Sequence, residues 1–209
     1  MNEKQFSIIL MKYFRKIGFL ILNGSFLISV NQVMAMQEPR DLYDFTHQET
    51  SGVWMIVNDG VMGGISESRL SLDQQGFLVF EGRVSLDYGG GFASVRSILN
   101  RLDAGPYDGI LIRFKGDGKR YQLRLRQGDR MDGVAYFRHF ETKIGEWEEV
   151  FLPFHSFQAS YRGRRLPDYP KLDTSRISQL GLMISDKQEG NFRLEVQRIA
   201  LYFNEHFQT

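Results

Sequence analysis

An all-β, two-sheet sandwich of the jelly-roll type is the fold class the sequence predicts, and three observations point to it. Apolar and polar residues alternate with period two in one segment after another, the pattern of a strand with one face buried. Turn residues interrupt those segments at roughly 8–15-residue spacing, and 21 glycines help to supply the turns. Beyond the N-terminus, no segment keeps an apolar stripe of helical period for three turns, so helical crossovers are not expected. The 17 Phe and 9 Tyr fit the same reading, because aromatic side chains pack well on a pleated surface.

Taken in order, Asp41 to Phe45 is a candidate first strand through Leu42, Tyr43 and Phe45. Trp54 to Val57 leads into Asn58-Asp59-Gly60, where short polar side chains and glycine supply turn chemistry. The pair Gly63-Gly64 implies a bulge, a sharp bend, or a backbone passing too close for a Cβ. A second cluster, Gly89-Gly90-Gly91, is the candidate for what approaches it, with both expected at one end of the sandwich. Ser66 to Leu72 and Phe77 to Leu86 form a hairpin around Asp73–Gly76. Leu70, Leu72, Leu78, Phe80, Val84 and Leu86 are expected inward. Phe92 to Ile98 is the next strand, and Asp103-Ala104-Gly105-Pro106 breaks the chain.

Gly109 to Phe114 and Arg120 to Arg126 are read as a second hairpin, around Lys115–Lys119. Ile110, Ile112, Phe114, Tyr121, Leu123 and Leu125 point inward in that reading. Arg113, Arg124 and Arg126 point outward, as a solvated sheet face or, alternatively, a binding stripe. Strands at Val134–Phe140 and Trp147–Leu152 follow, and Pro153 ends the latter. Gln158 to Asp173 is expected to be one long irregular connection, of the kind that is functional or mobile. Ile177–Ser185 and Phe192–Phe203 close the fold.

The N-terminus has a different composition. Lys4, Lys12, Arg15 and Lys16 precede an apolar block, Ile17 to Val30, which at about 14 residues is short for a membrane span. Val33 and Ala35 fit the small-residue positions of a cleavage site, so residues 1–35 read as a secretory signal and residues 36–209 as a single domain. Export to a periplasmic or extracellular location is the expectation that follows. A membrane attachment through an uncleaved leader is the alternative.

The chain has 26 basic and 25 acidic residues. Of these, 4 and 1 fall in residues 1–35, leaving 22 against 24 and no reason to invoke nucleic acid. There is no cysteine. That excludes disulfides, a thiol nucleophile, a lipidated cysteine and any Cys-ligated metal.

Catalytic patterns are not found. No serine sits in G-x-S-x-G, and Gly118-Lys119-Arg120 is turn chemistry without the rest of a phosphate loop. Gly89-Gly90-Gly91 lacks the helix that would make it a dinucleotide cradle. His47, His139, His155 and His206 are scattered, and His139 reads as a structural histidine more readily than a zinc ligand. No spacing links any two of Asp132, Asp168, Asp173 and Asp186 as an acid/base pair. No cofactor and no metal are expected. Asp59 and Asp186 each open a Gly-containing turn and can bond its backbone N–H groups. The alternative is that they share a cation or the hydroxyls of a ligand, with Asn58 and glycine carbonyls completing a calcium-type oxygen site.

Several blocks together resemble the complex I intermediate-associated protein 30 family. They are Trp54 with Asn58–Ser68, then Phe80-Glu81-Gly82, and Gly90-Gly91-Phe92-Ala93-Ser94-Val95-Arg96. Trp147 follows with Leu152-Pro153-Phe154, then Arg162-Gly163-Arg164, and Ile184–Leu194. The resemblance implies a galactose-binding-like jelly roll and a role in assembling respiratory complex I, and it brings no catalytic residues with it. The polar members of the blocks are the candidate ligand or partner contacts: Asn58, Asp59, Arg96, Arg162, Arg164, Asp186 and Lys187. Trp54, Gly60, Met62, Gly63, Gly64, Gly90 and Gly91 are the candidate structural residues.

The function expected is a non-enzymatic binding or assembly module that holds a protein partner at the loop end or on a sheet face. An exported carbohydrate-binding module is the alternative, with Tyr161 and Tyr169 as the freest aromatics. An enzyme with a dispersed site is the second alternative. An exposed aromatic platform would favour sugar, an apolar patch a protein, and a pocket with perturbed carboxylates an enzyme.

Overall fold

Thirteen strands form in the computed structural model, which describes residues 39–47, 53–128, 130 and 132–203. The expected leader lies outside these residues. In chain order the strands are β1 (Arg40–Asp44), β2 (Trp54–Ile56), β3 (Glu67–Leu72), β4 (Leu78–Val84), β5 (Ala93–Leu102), β6 (Gly109–Lys115) and β7 (Arg120–Gln127). They continue with β8 (Ala135–Glu141), β9 (Trp147–Pro153), β10 (Gln158–Tyr161), β11 (Arg164–Arg165), β12 (Ile177–Ile184) and β13 (Gly190–Tyr202).

All strand pairings are antiparallel, and they make two sheets. One sheet runs β3-β4-β13-β6-β9, and the other runs β11-β10-β8-β7-β12-β5-β2. The 13-residue β13 is the axis of the first. β4 covers one of its edges up to Val196, and β1 takes over from Arg198 to Leu201.

Alternation places the core between the sheets. Ile110, Ile112, Phe114, Leu194 and Ile199 from the first sheet meet Tyr121, Leu123, Leu125, Leu180, Leu182 and Ile184 from the second, all essentially inaccessible. Each fully buried side chain of this size stabilises the fold by about 1.5–3 kcal/mol relative to exposure.

The β3–β4 hairpin forms in the expected register, Glu67 opposite Arg83 and Leu72 opposite Leu78. Its inward assignments hold only in part, because β3 is an edge strand and Leu86 lies beyond the end of β4. Leu70 is half-buried, while Leu72 and Leu86 are exposed.

The second expected hairpin does not exist. β6 pairs with β13 and β9, whereas β7 pairs with β8 and β12, so Lys115–Lys119 carries the chain from one sheet to the other. Period two shows which face is buried and not which strand lies alongside. Asp117 fixes the crossing: its Oδ1 accepts from Tyr121 Oη at 3.0 Å and its Oδ2 from Arg193 N at 2.9 Å.

Nor is 158–173 wholly irregular. Arg162 and Gly163, at φ 48° and 78°, turn the chain between β10 and β11, which close one edge of the second sheet.

Candidate functional site

After β2 the chain makes one 3₁₀ turn, Asp59–Met62, and leaves it through Gly63 at φ 95°. The Asp59 side chain is fully buried. Its Oδ1 accepts from Ser66 N at 2.9 Å, and its Oδ2 accepts from Ser66 Oγ at 2.5 Å, Gly91 N at 2.7 Å and Phe92 N at 3.2 Å. Asn58 Oδ1 accepts from Ser68 Oγ at 2.9 Å and Ser94 N at 3.2 Å. A Cβ on Gly64 would lie 2.5 Å from Asp59 Cγ and 2.8 Å from Gly90 Cα. The two glycine clusters therefore close on one carboxylate and on each other. Burial pushes the Asp59 pKa up, but the bonds from Ser66, Gly91 and Phe92 outweigh it and hold the group below the usual carboxylate range. Four N–H and O–H donors, three on Oδ2 and one on Oδ1, make this carboxylate the acceptor of a protein network.

That buried network holds up an apolar rim. Val61, Met62, Ile65 and Tyr88 are 74%, 56%, 52% and 78% exposed. Tyr88, at φ 53°, is held in the left-handed region. Gly60 and Met62 thus belong to the outer side of the turn, and packing requires neither. Trp54 lies beneath, half-buried against Tyr43 and Phe45 with ring centroids 5.1 and 6.2 Å away.

The other candidate residues lie elsewhere. Asp186 and Lys187 occupy the turn after β12, both at positive φ. Asp186 does not serve its own turn: its Oδ2 accepts from His139 Nε2 at 2.8 Å and Arg120 Nη2 at 3.1 Å. Burial raises its pKa less than these two partners lower it. Arg162 lies in the β10–β11 turn, its guanidinium 5.5 Å from the Tyr161 ring, and Arg164 lines a groove of about 660 Å³ with Arg130, Arg176, Tyr136, Tyr161 and Tyr169.

Arg96 lies on the outer face of the seven-stranded sheet, in one cross-strand row with Gly181, Arg124 and Phe137. Arg124 and Arg126 were legible in the sequence as outward residues, but they are not solvated as expected. Both are partly buried, whereas Arg113, on the other sheet, is exposed. Gln122, Phe137, His139 and Met183 complete this face. Only the two-residue alternation could have pointed to them, and it carries no sign of which outward residues are covered.

Among the described residues, each carboxyl with a resolved pKa shift is held low, namely Asp44, Asp59, Glu81, Asp173 and Asp186. These are acceptors, not the raised carboxyl of a general acid.

Comparison with known proteins places the architecture and the chain. The family 11 carbohydrate-binding module of Clostridium thermocellum shares the fold with a TM-score of 0.61 at 18% identity, over 79% of this chain and 95% of that module. The agarase AgWH50C shares it with a TM-score of 0.54 at 12% identity, over 80% of this chain and 25% of the agarase. In sequence, the mitochondrial complex I intermediate-associated protein 30 of Mus musculus is 25% identical over 197 residues, 82% of this chain and 58% of the relative. The probable counterpart of Caenorhabditis elegans is 28% identical over 185 residues, 79% of this chain and 54% of the relative. This chain therefore spans little more than half the length of those relatives.

Their names also overturn the expected location. Both relatives are mitochondrial proteins, so a periplasmic or extracellular destination read from residues 1–35 is withdrawn. The basic run, the short apolar block and the small residues Val33 and Ala35 were read as a secretory signal from sequence pattern alone, and that pattern does not carry the location against the names of the relatives. The profile of the complex I intermediate-associated protein 30 (CIA30) family matches residues 43–196, and this chain belongs to that family.

Proposed function

We propose that this chain is a non-enzymatic assembly-factor module that holds a protein partner against the apolar rim at one end of its sandwich, in the service of complex I assembly. The carrying observation is the exposed set Val61, Met62, Ile65 and Tyr88, mounted on the buried Asp59 network. Exposed apolar side chains gathered on a rigid support are what a protein interface needs, because little ordering is left to be done on binding. The names of the relatives support the assembly role. A photo-crosslinking residue at Met62 tests it, with Ile144, 81% exposed on a different loop, as the control position. Complex I subunits are expected at Met62 and not at Ile144. An identical set of adducts at both positions, or none containing a complex I subunit, would refute the reading.

A carbohydrate ligand is the second reading, and the groove beside β10 and β11 favours it. Tyr161 and Tyr169 line it at 42% and 45% exposure, next to Arg130, Arg164 and Arg176. Affinity electrophoresis through mixed-linked β-1,3-1,4-glucan should then retard the chain, and Tyr161→Ala with Tyr169→Ala should abolish the retardation. Free migration of the wild type removes this reading for that glucan.

A further inference from the structure

The apolar rim and the arginine-lined groove lie at opposite ends of the sandwich. β12 runs from Ile177, flanked by Gln127 of β7 and Leu102 of β5, to Ile184, flanked by Tyr121 and Ala93. The Asp59 network adjoins the Ala93 end through Gly91 and Phe92. The groove of about 660 Å³ adjoins the other end through Gln127 and Arg176. Along a strand of 8 residues the two ends are roughly 25 Å apart.

The walls of the groove are tied to one another. Tyr136 Oη donates to Pro170 O at 2.9 Å, Asp173 N to Gln127 Oε1 at 2.7 Å, and Gly128 N to Arg176 O at 3.2 Å. On this frame stand Arg130, Arg164 and Arg176, with the half-open rings of Tyr161 and Tyr169. All three arginines are exposed, and among the described residues none forms a salt bridge. Asp132 also lines the groove, and its Oδ1 lies 3.6 Å from Arg96. Asp173 is held low chiefly by the Ser175 hydroxyl, with Arg176 a lesser cause. Its Oδ1 already accepts from Ser175 N at 3.1 Å and Ser175 Oγ at 2.6 Å.

One wall is the β10–β11 hairpin. β11 is the last strand of its sheet, so no strand covers the outer edge of Arg164–Arg165. The turn holds Arg162 at φ 48°, a position that two-residue hairpins ordinarily give to Asn, Asp or Gly. A long cation is thus kept at the tip at some cost in backbone strain.

We propose that this groove docks an acidic, extended segment of a partner protein, whose Asp and Glu side chains pair with Arg130, Arg164 and Arg176. It rests on the reading of the chain as a holder of protein partners and adds a second surface, apart from the rim. Tyr and Arg are the residues enriched where protein surfaces bind, and guanidinium takes a carboxylate through paired N–H donors in one plane. An extended segment also suits an open strand edge. A neutral glycan would make no use of the charge, and the Arg162 guanidinium already stands over the Tyr161 ring, 5.5 Å from its centroid.

Fluorescence anisotropy of the whole chain with fluorescein-labelled poly-L-glutamate tests the site. Saturable binding is expected, weakened by sodium chloride. Arg164→Gln with Arg176→Gln should weaken it about tenfold or more, and Arg164→Lys with Arg176→Lys should lose less. Arg113→Gln, exposed on the other sheet, should leave binding unchanged. Should the double glutamine variant fail to fold, Arg130→Gln carries the same comparison. No saturable binding, binding unaltered in a folded glutamine variant, or tighter binding of the acidic glycan polygalacturonate than of poly-L-glutamate overturns the proposal. The rim lies at the other end, so crosslinking from Met62 reads out separately, and the two surfaces fail or stand independently.

Discussion

The Asp59 carboxylate and the Gly91 backbone N–H meet at 2.7 Å across 32 residues of sequence. Through that bond the turn after β2 and the turn before β5 become one rigid end of the sandwich.

Replacing Asp59 by Asn should therefore be costly. The amide would present an N–H₂ to a position now surrounded by donors, either Ser66 N or the group of Ser66 Oγ, Gly91 N and Phe92 N. Two or more charge-assisted bonds are lost, and a loss of about 2–4 kcal/mol is expected. If Asp59 served only its own turn, the loss would be about 1 kcal/mol or less. Urea denaturation of the two proteins separates these outcomes.

Acid should act on the same bond. The folded pKa of Asp59 is held low, so its stabilising contribution is fully present above the unfolded value of about 3.9. It is lost as pH falls through the folded value. Melting temperature should decline below about pH 4 in the wild type, and less steeply in Asp59→Asn. Equal slopes would show that Asp59 is not among the groups that set acid stability.

How far the site was legible follows from the range of the interactions. The Asn58–Gly64 turn and its approach to Gly89–Gly91 were readable, because glycine pairs and Asx residues report local backbone needs. The partners of Asp59 were not, since Gly91 and Phe92 carry no side-chain signal that they donate to a carboxylate. The β6 and β7 pairing was misread for a related reason. Both strands alternate cleanly, and nothing local says that Lys115–Lys119 crosses between sheets. Arg124 and Arg126 were seen to face outward, but the contacts that hold Arg124 come from Met183, Phe137 and Ser160, on three other strands.

Gly63 and Gly64 should separate under substitution. Gly63 is at φ 95° with nothing within 4 Å of an added Cβ, so Gly63→Ala meets only backbone strain, about 1–2 kcal/mol. Gly64→Ala drives a methyl to within 2.5 Å of Asp59 and 2.8 Å of Gly90 Cα, and must open the network. Its cost should exceed about 3 kcal/mol. Equal melting temperatures for the two variants would mean that the clusters do not pack as described.

Arg126 offers a test in the opposite direction. Its Nε makes no hydrogen bond, and its charge is crowded by Arg96 and Arg124. A residue kept for structure would not be held so. Arg126→Met fills the same space beside Gln179 without the buried charge. Replacing a poorly compensated buried ion by an apolar residue of similar volume is neutral or stabilising by about 1–4 kcal/mol. The variant should therefore melt no lower than the wild type, and higher at low salt, where repulsion among the guanidiniums is least screened. A melting temperature that falls instead would assign Arg126 to the fold, because the guanidinium would then be worth more to the folded chain than the relief of its charge.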